Sequence, residues 1–241
     1  MKSSQRGFSL LEGLISLLLF LLIVLFSLDC FLSLKEHFTK LKDSESSSTA
    51  VYAAMDRMRR DLFDAGLGLA DAMMLQIIEG ISEEEGELVV LSKNEDLTLG
   101  GPLFSGQQRI LTTDAKKIKK GQLISLINPD GGEVFSAISV DQNGVLIDSP
   151  ITFDYSVDNT RFFSLRRISL YLDDAKDVIR RKVNASPAQP LLEDVASFAF
   201  EYTKDVNLVR LALVLIGNEE KRYETTVFPK NTAMASILQK E

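Results

Sequence analysis

Phe8 opens a run of 21 residues, FSLLEGLISLLLFLLIVLFSL, in which Glu12 is the only ionisable side chain. A helix crosses a bilayer core with about 20 mainly apolar residues, so residues 8–28 are expected to form one transmembrane helix. No later stretch matches it. Lys2, Arg6 and the amino terminus precede the run with no acid among them. Asp29, Lys35, Glu36, Lys40, Lys42 and Asp43 follow it with mixed sign. The positive-inside rule then puts the N-terminus in the cytoplasm and the rest of the chain outside. A cleaved secretory signal needs a small-residue site after its apolar core. Here the following residues read SLDCFLS, without an A-x-A pattern, and Asp29 before Cys30 spoils a lipobox. An uncleaved signal anchor fits the hydropathy but leaves Glu12 unexplained, since an acid inside a span is costly and functional by default.

The remaining chemistry is sparse. A net charge of −7 argues against a nucleic-acid surface, and no nucleic-acid binding is expected of this chain. Cys30 is the only cysteine, so no internal disulfide can form. His37 is the only histidine. Seven positions along one helix separate the two by about 10 Å, too far for a Cys–His nucleophile. Zinc has no ligand set here, and neither a metal nor a cofactor is expected. The acidic stretches ISEEEGE (81–87) and NPDGGE (128–133) lack EF-hand spacing and read as solvated turns. GLG (66–68) lacks the third glycine and preceding strand of a phosphate loop. RMRR (57–60) reads as a solvated helix face.

Helical periodicity continues past the apolar run. Glycine is absent between Gly13 and Gly66, and the first proline is Pro102. Val51, Met55, Met58, Leu62 and Ala65 recur at steps of 4, 3, 4 and 3, one face of a helix, with Asp56, Arg59, Arg60 and Asp64 on the others. The serine-rich KDSESSSTA (42–50) is a weak helix former, expected either to melt or bend locally or to be an exposed polar turn of the helix. From Glu87 on, short β-type runs alternate with turn signals such as NPDGG, DQNG and GNEE. QLISLINPDGGEVFSAISVDQNGVLID reads as a three-stranded meander. One long helix followed by many strands gives an α+β chain with a mainly antiparallel sheet.

KSSQRG-FSLLE resembles the class III leader of type IV pilins and type II secretion pseudopilins: a short basic leader (Lys2, Arg6) ending in Gly7, then Phe8, then Glu12 as fifth mature residue. AAMDRMRRDLFDAG, RRISLYLDDAKDVIRR, LLEDVASFAFEY, VRLALVL and ETTVFPKN resemble, in order, segments of PilW-like minor pilins and J-type pseudopilins. Lys230 stands where the family ends on an arginine. Residues 79–153 match nothing in that pattern.

The resemblance implies a pilin-like fold and four parts: a cleaved leader over 1–7, the span over 8–28, a periplasmic continuation of the helix over 29–66, and a β-rich domain over 67–241. It implies cleavage after Gly7 and N-methylation of Phe8 by a prepilin peptidase, and docking of Glu12 on a neighbour's N-terminal amine. The implied protein is a non-enzymatic subunit in the bacterial inner membrane, later in a filament. Its implied partners are the peptidase, other minor and major pilins or pseudopilins, an inner-membrane assembly platform and membrane lipid. Pilus, type II secretion and DNA uptake remain alternative systems. A signal-anchored periplasmic enzyme or binding protein, with its site in 79–153, is the reading of a different class.

Overall fold

The computed structural model describes residues 10–217 and 221–233. The chain falls into two compact units, residues 1–50 and 51–241. A single unbroken helix, α1 (Leu10–Phe63), begins in the first and ends in the second. Within the first unit its apolar side chains stand exposed, among them Leu17, Phe20 and Phe26. The stretch Glu12–Thr39 has the length and composition to cross a membrane. The serine-rich stretch 42–50 is a polar turn of the continuous helix, not a break in it. The Thr39 and Thr49 hydroxyls donate to the carbonyls of Lys35 and Glu45, both at 2.9 Å, so these hydroxyls are satisfied on the helix itself.

In the second unit the predicted face is buried: Val51, Met55, Met58, Leu62 and Ala65 are all within the core. The helix end is closed from a distance. Gly66 adopts a φ of 71°, and its N–H leaves the helix for the Leu91 carbonyl at 2.8 Å. Asn231 reaches back to donate its Nδ2 to the carbonyls of Phe63 (3.0 Å) and Ala65 (3.2 Å), satisfying acceptors that a helix C-terminus leaves open. A short α2 (Ala70–Met74) follows.

Nine strands make the larger sheet: β1 (Ile81–Glu84), β2 (Glu87–Leu97), β3 (Arg109–Leu111), β4 (Leu123–Asn128), β5 (Gly131–Val140), β6 (Gly144–Ile147), β7 (Arg161–Asp173), β8 (Val178–Val183) and β9 (Gln189–Leu192). Strand β7 is its spine. One edge of β7 pairs with β2, while the other pairs first with β4 (through Ser164) and then, from Ile168, with β8. The order is β1-β2-β7-β4-β5-β6-β3, with β8 and β9 branching from β7. A second sheet runs β10 (Val195–Thr203), β11 (Leu208–Leu215) and β12 (Arg222–Val227). Every strand pairing among the described residues is antiparallel, so the chain is α+β as expected. The predicted meander is β4-β5-β6.

ISEEEGE is more ordered than a solvated turn. Its first four residues form β1, and Glu85 and Gly86, at φ of 52° and 81°, make the two-residue connection to β2. Both central residues at positive φ suit the twist of a tight hairpin. The acids hid the strand because only Ile81 of the four is apolar and buried.

The core has three parts. The buried face of α1 packs with β1, β2, β7, β8 and the second sheet. A second cluster, from Leu97 to Phe162, gathers Ile110, Ile124, Leu126, Phe135, Val145 and Tyr155. A third sets α2 against β4 and β7 through Ala72, Met73, Ile127 and Phe163. Residues 79–153, without counterpart in the resemblance, thus supply β1–β6 and most of the second cluster.

Candidate functional site

Lys2, Arg6, Gly7 and Phe8 lie outside the described residues. Glu12 lies within them, in the first turn of α1, and is exposed. An acid there is favoured by the positive end of the helix dipole, which offsets part of the cost of a carboxylate on an apolar helix. Leu14, Ile15, Leu17 and Leu18 follow it, each half or more exposed. Cys30 and His37 are also exposed on α1. The result is a helix whose outside is hydrocarbon with one acid near its start. Such a surface can enter lipid or pack on other helices.

Among the described residues no group of three or more His, Cys, Asp or Glu side chains could hold a metal. The acidic stretches hold the fold instead. Glu84 accepts from Arg167 at 2.7 Å and from the Ser82 hydroxyl at 3.2 Å. Glu133 accepts the Thr152 N–H (3.0 Å), the Phe153 N–H (3.3 Å) and the Tyr155 hydroxyl (3.0 Å). Burial, and then the hydrogen bond to Glu133, raise the Tyr155 phenol above its ordinary range, because both disfavour the phenolate.

One pair escaped the sequence reading. Asp61, one turn from the predicted exposed acids, is buried, and Arg181 of β8 meets it with two bonds, Nε–Oδ2 at 2.6 Å and Nη2–Oδ1 at 2.9 Å. The signal was present: Asp61 falls three residues after Met58 and seven before Gly68, beside the apolar face of α1. Its fork-on-carboxylate geometry is the strong form of such a bond.

The model of the prokaryotic N-terminal methylation motif matches residues 2–28, a stretch that contains Lys2, Arg6, Gly7, Phe8 and Glu12. No curated protein matches the chain. Among solved structures, the Gp54 tailspike of Acinetobacter baumannii bacteriophage AP22, in complex with A. baumannii capsular saccharide, aligns at 20% identity and a TM-score of 0.27. That alignment covers 32% of this chain and 15% of the tailspike, and a likeness so slight says nothing of fold or ligand. The motif, joined to an exposed apolar helix and an antiparallel β domain, supports a protein of the pilin and pseudopilin type. It suggests a structural subunit rather than an enzyme, and is consistent with membrane anchoring.

Proposed function

We propose that the chain is a minor pilin of the PilW-like kind, or its J-type counterpart in type II secretion or DNA uptake. In this reading residues 1–7 are a leader, 8–28 the span, 29–66 the periplasmic part of the helix and 67–241 the outer domain. The prepilin peptidase cuts after Gly7 and methylates Phe8. The mature subunit then leaves the inner membrane through the assembly platform and joins other pilins or pseudopilins near the filament tip, where it primes assembly. A domain of this size is hard to repeat in a helical lattice, which favours a tip position.

One observation carries the reading: the methylation motif runs directly into an apolar helix that buries none of its span on its own chain. Such a helix needs lipid before assembly and neighbouring helices after it. Glu12 would pair with a neighbour's new α-amine as the helices stack, since attraction in an apolar filament core is weakly screened.

Mass spectrometry of the membrane form tests this. The expected mature chain starts at N-methyl-Phe8, with a formal charge taken from −7 to −9 by the loss of Lys2 and Arg6. A membrane form that keeps residues 1–7 in cells with working filaments would falsify the reading.

A further inference from the structure

The turn between β4 and β5 divides a groove on the second unit. On one side lies a hollow of about 310 Å³ and on the other a hollow of about 340 Å³, and both are bordered by Asn128, Pro129 and Asn159. The first hollow is polar. Asn128, Asp130, Asp154, Ser156 and Asn159 border it over the buried Leu103, and Phe104 stands at its rim with 56% of its surface exposed. The fold uses few of these polar groups. The Asn128 Oδ1 accepts the Asp130 N–H at 3.0 Å and Asp154 accepts the Ser105 N–H at 2.8 Å. The Asn159 amide, the Ser156 hydroxyl and the Asp130 carboxylate have no partner among the described residues. Thr160, next to Asn159, carries a buried hydroxyl oxygen with no hydrogen-bond partner among those residues. The second hollow is mainly apolar, lined by Met74, Leu75, Ile127 and Pro129, of which Ile127 is buried. Its one cation, Arg161, is paired with Asp71.

We propose that this groove binds a neutral saccharide of two or more units. Its chemistry selects the class. The borders offer amides, a hydroxyl and carboxylates but no unpaired cation, so an anionic ligand would be repelled. Amide and carboxylate side chains can each engage two adjacent hydroxyls, and an exposed aromatic ring matches the apolar face of a pyranose. A pocket with an apolar floor and a few convergent polar groups is the usual form of a small-ligand site. One sugar would lie over Leu103 against Phe104 and the next would cross Pro129 toward Leu75. Residues 102–104 and 127–130 of the groove lie in the part of the chain with no counterpart in the pilin resemblance, and residues 71–75 and 154–161 complete its borders. The proposal does not depend on the filament reading.

The test uses the full chain in amine-oxide micelles, because maltoside detergents are themselves ligands of the proposed class. It is applied to an array of neutral glycans with arginine- and lysine-containing peptides on the same slide, and the strongest glycan is then titrated calorimetrically. Asn159→Ala, Asp130→Ala and Phe104→Ala replace exposed residues, and their thermal unfolding should match the parent. Each is expected to weaken glycan binding at least tenfold, while Lys119→Ala, outside the groove, leaves it unchanged. No glycan signal above the micelle background overturns the proposal. Glycan binding that survives all three groove variants overturns it too, as does binding of only the basic peptides. The mass of the N-terminal peptide from the same preparation reports separately on processing, so the two readings fail independently.

Discussion

Glu12 and Asp61 are both acids on α1, placed in opposite surroundings. Asp61 is desolvated, and Arg181 compensates it on the same chain. Glu12 is exposed among apolar side chains, and in the proposed filament it meets a neighbour's N-terminal amine. Glu12→Val should therefore leave membrane insertion intact, because the span becomes more apolar, and should leave cleavage after Gly7 intact. Recruitment should fail, since a neighbour's buried amine without its counter-charge costs on the order of 3–5 kcal/mol. Glu12→Asp should fall between, keeping the charge but not the reach. Cross-linking of the mature variants to other pilin-like subunits measures this, and normal recruitment of processed Glu12→Val would remove Glu12 as the docking element. Tyr155 gives a pH-dependent counterpart in the second unit. Its folded pKa is raised by burial and by Glu133, so the unfolded chain loses the phenolic proton first. The stabilisation is fully present below the unfolded pKa of about 10 and is lost as pH rises beyond it. Tyr155→Phe should cost about 1 kcal/mol at pH 7 through the lost hydrogen bond. It should also fall off less steeply than the parent in denaturant titrations above about pH 10. Parallel pH profiles of the two proteins would dismiss that assignment.

Among the elements, α1 is held at its C-terminal end by a residue 168 positions away. Asn231→Ala should cost about 1 kcal/mol, the worth of an ordinary intramolecular hydrogen bond, and should speed amide exchange in residues 60–66 before the sheets are affected. Asn231→Asp should be worse than alanine, because it sets a negative charge against the negative end of the helix dipole. If alanine and aspartate exchange alike, Asn231 does not act on the helix end. That contact shows where sequence reading stops. The buried face of α1 was legible because it repeats every turn, and β4, β5, β6, β7, β8 and the strands of the second sheet were legible because β-rich runs alternate with turn residues. Strand β1 hid behind two glutamates, Glu83 and Glu84, β9 behind a proline at position 190, and α2 is too short to show a period. The methylation motif could be read because its residues adjoin one another in sequence. The groove could not: its borders come from residues 71–75, 102–104, 127–130 and 154–161, and only the pairing of β4 with β7 and the bridge of Leu103 to Tyr155 bring them together.

At the scale of the whole molecule, the boundary at Ala50 predicts which pieces of the chain can stand alone. A chain truncated to begin at Lys42 discards the exposed apolar side chains of the span but keeps Val51, Ala54, Met55, Met58, Leu62 and Ala65, all of which belong to the first core cluster. It should be soluble and monomeric, with one cooperative unfolding transition. A chain beginning at Leu67 loses all six at once. Removing even one large buried side chain costs about 2–5 kcal/mol, and the whole stability of a domain is only about 5–15 kcal/mol. The shorter chain also loses the two-bond Asp61–Arg181 pair that ties α1 to β8. These losses exceed what the two sheets can spare, so the chain from Leu67 should aggregate or expose its core to a hydrophobic dye. Restoring Asp61's charge cannot rescue it, but adding residues 42–66 as a separate peptide should do so in part, by refilling the groove that α1 leaves. Size-exclusion chromatography and thermal unfolding of the two chains decide the matter. A chain from Leu67 that is the better behaved of the two would show that the sheets close on themselves and that the second half of α1 is an attachment rather than part of the core.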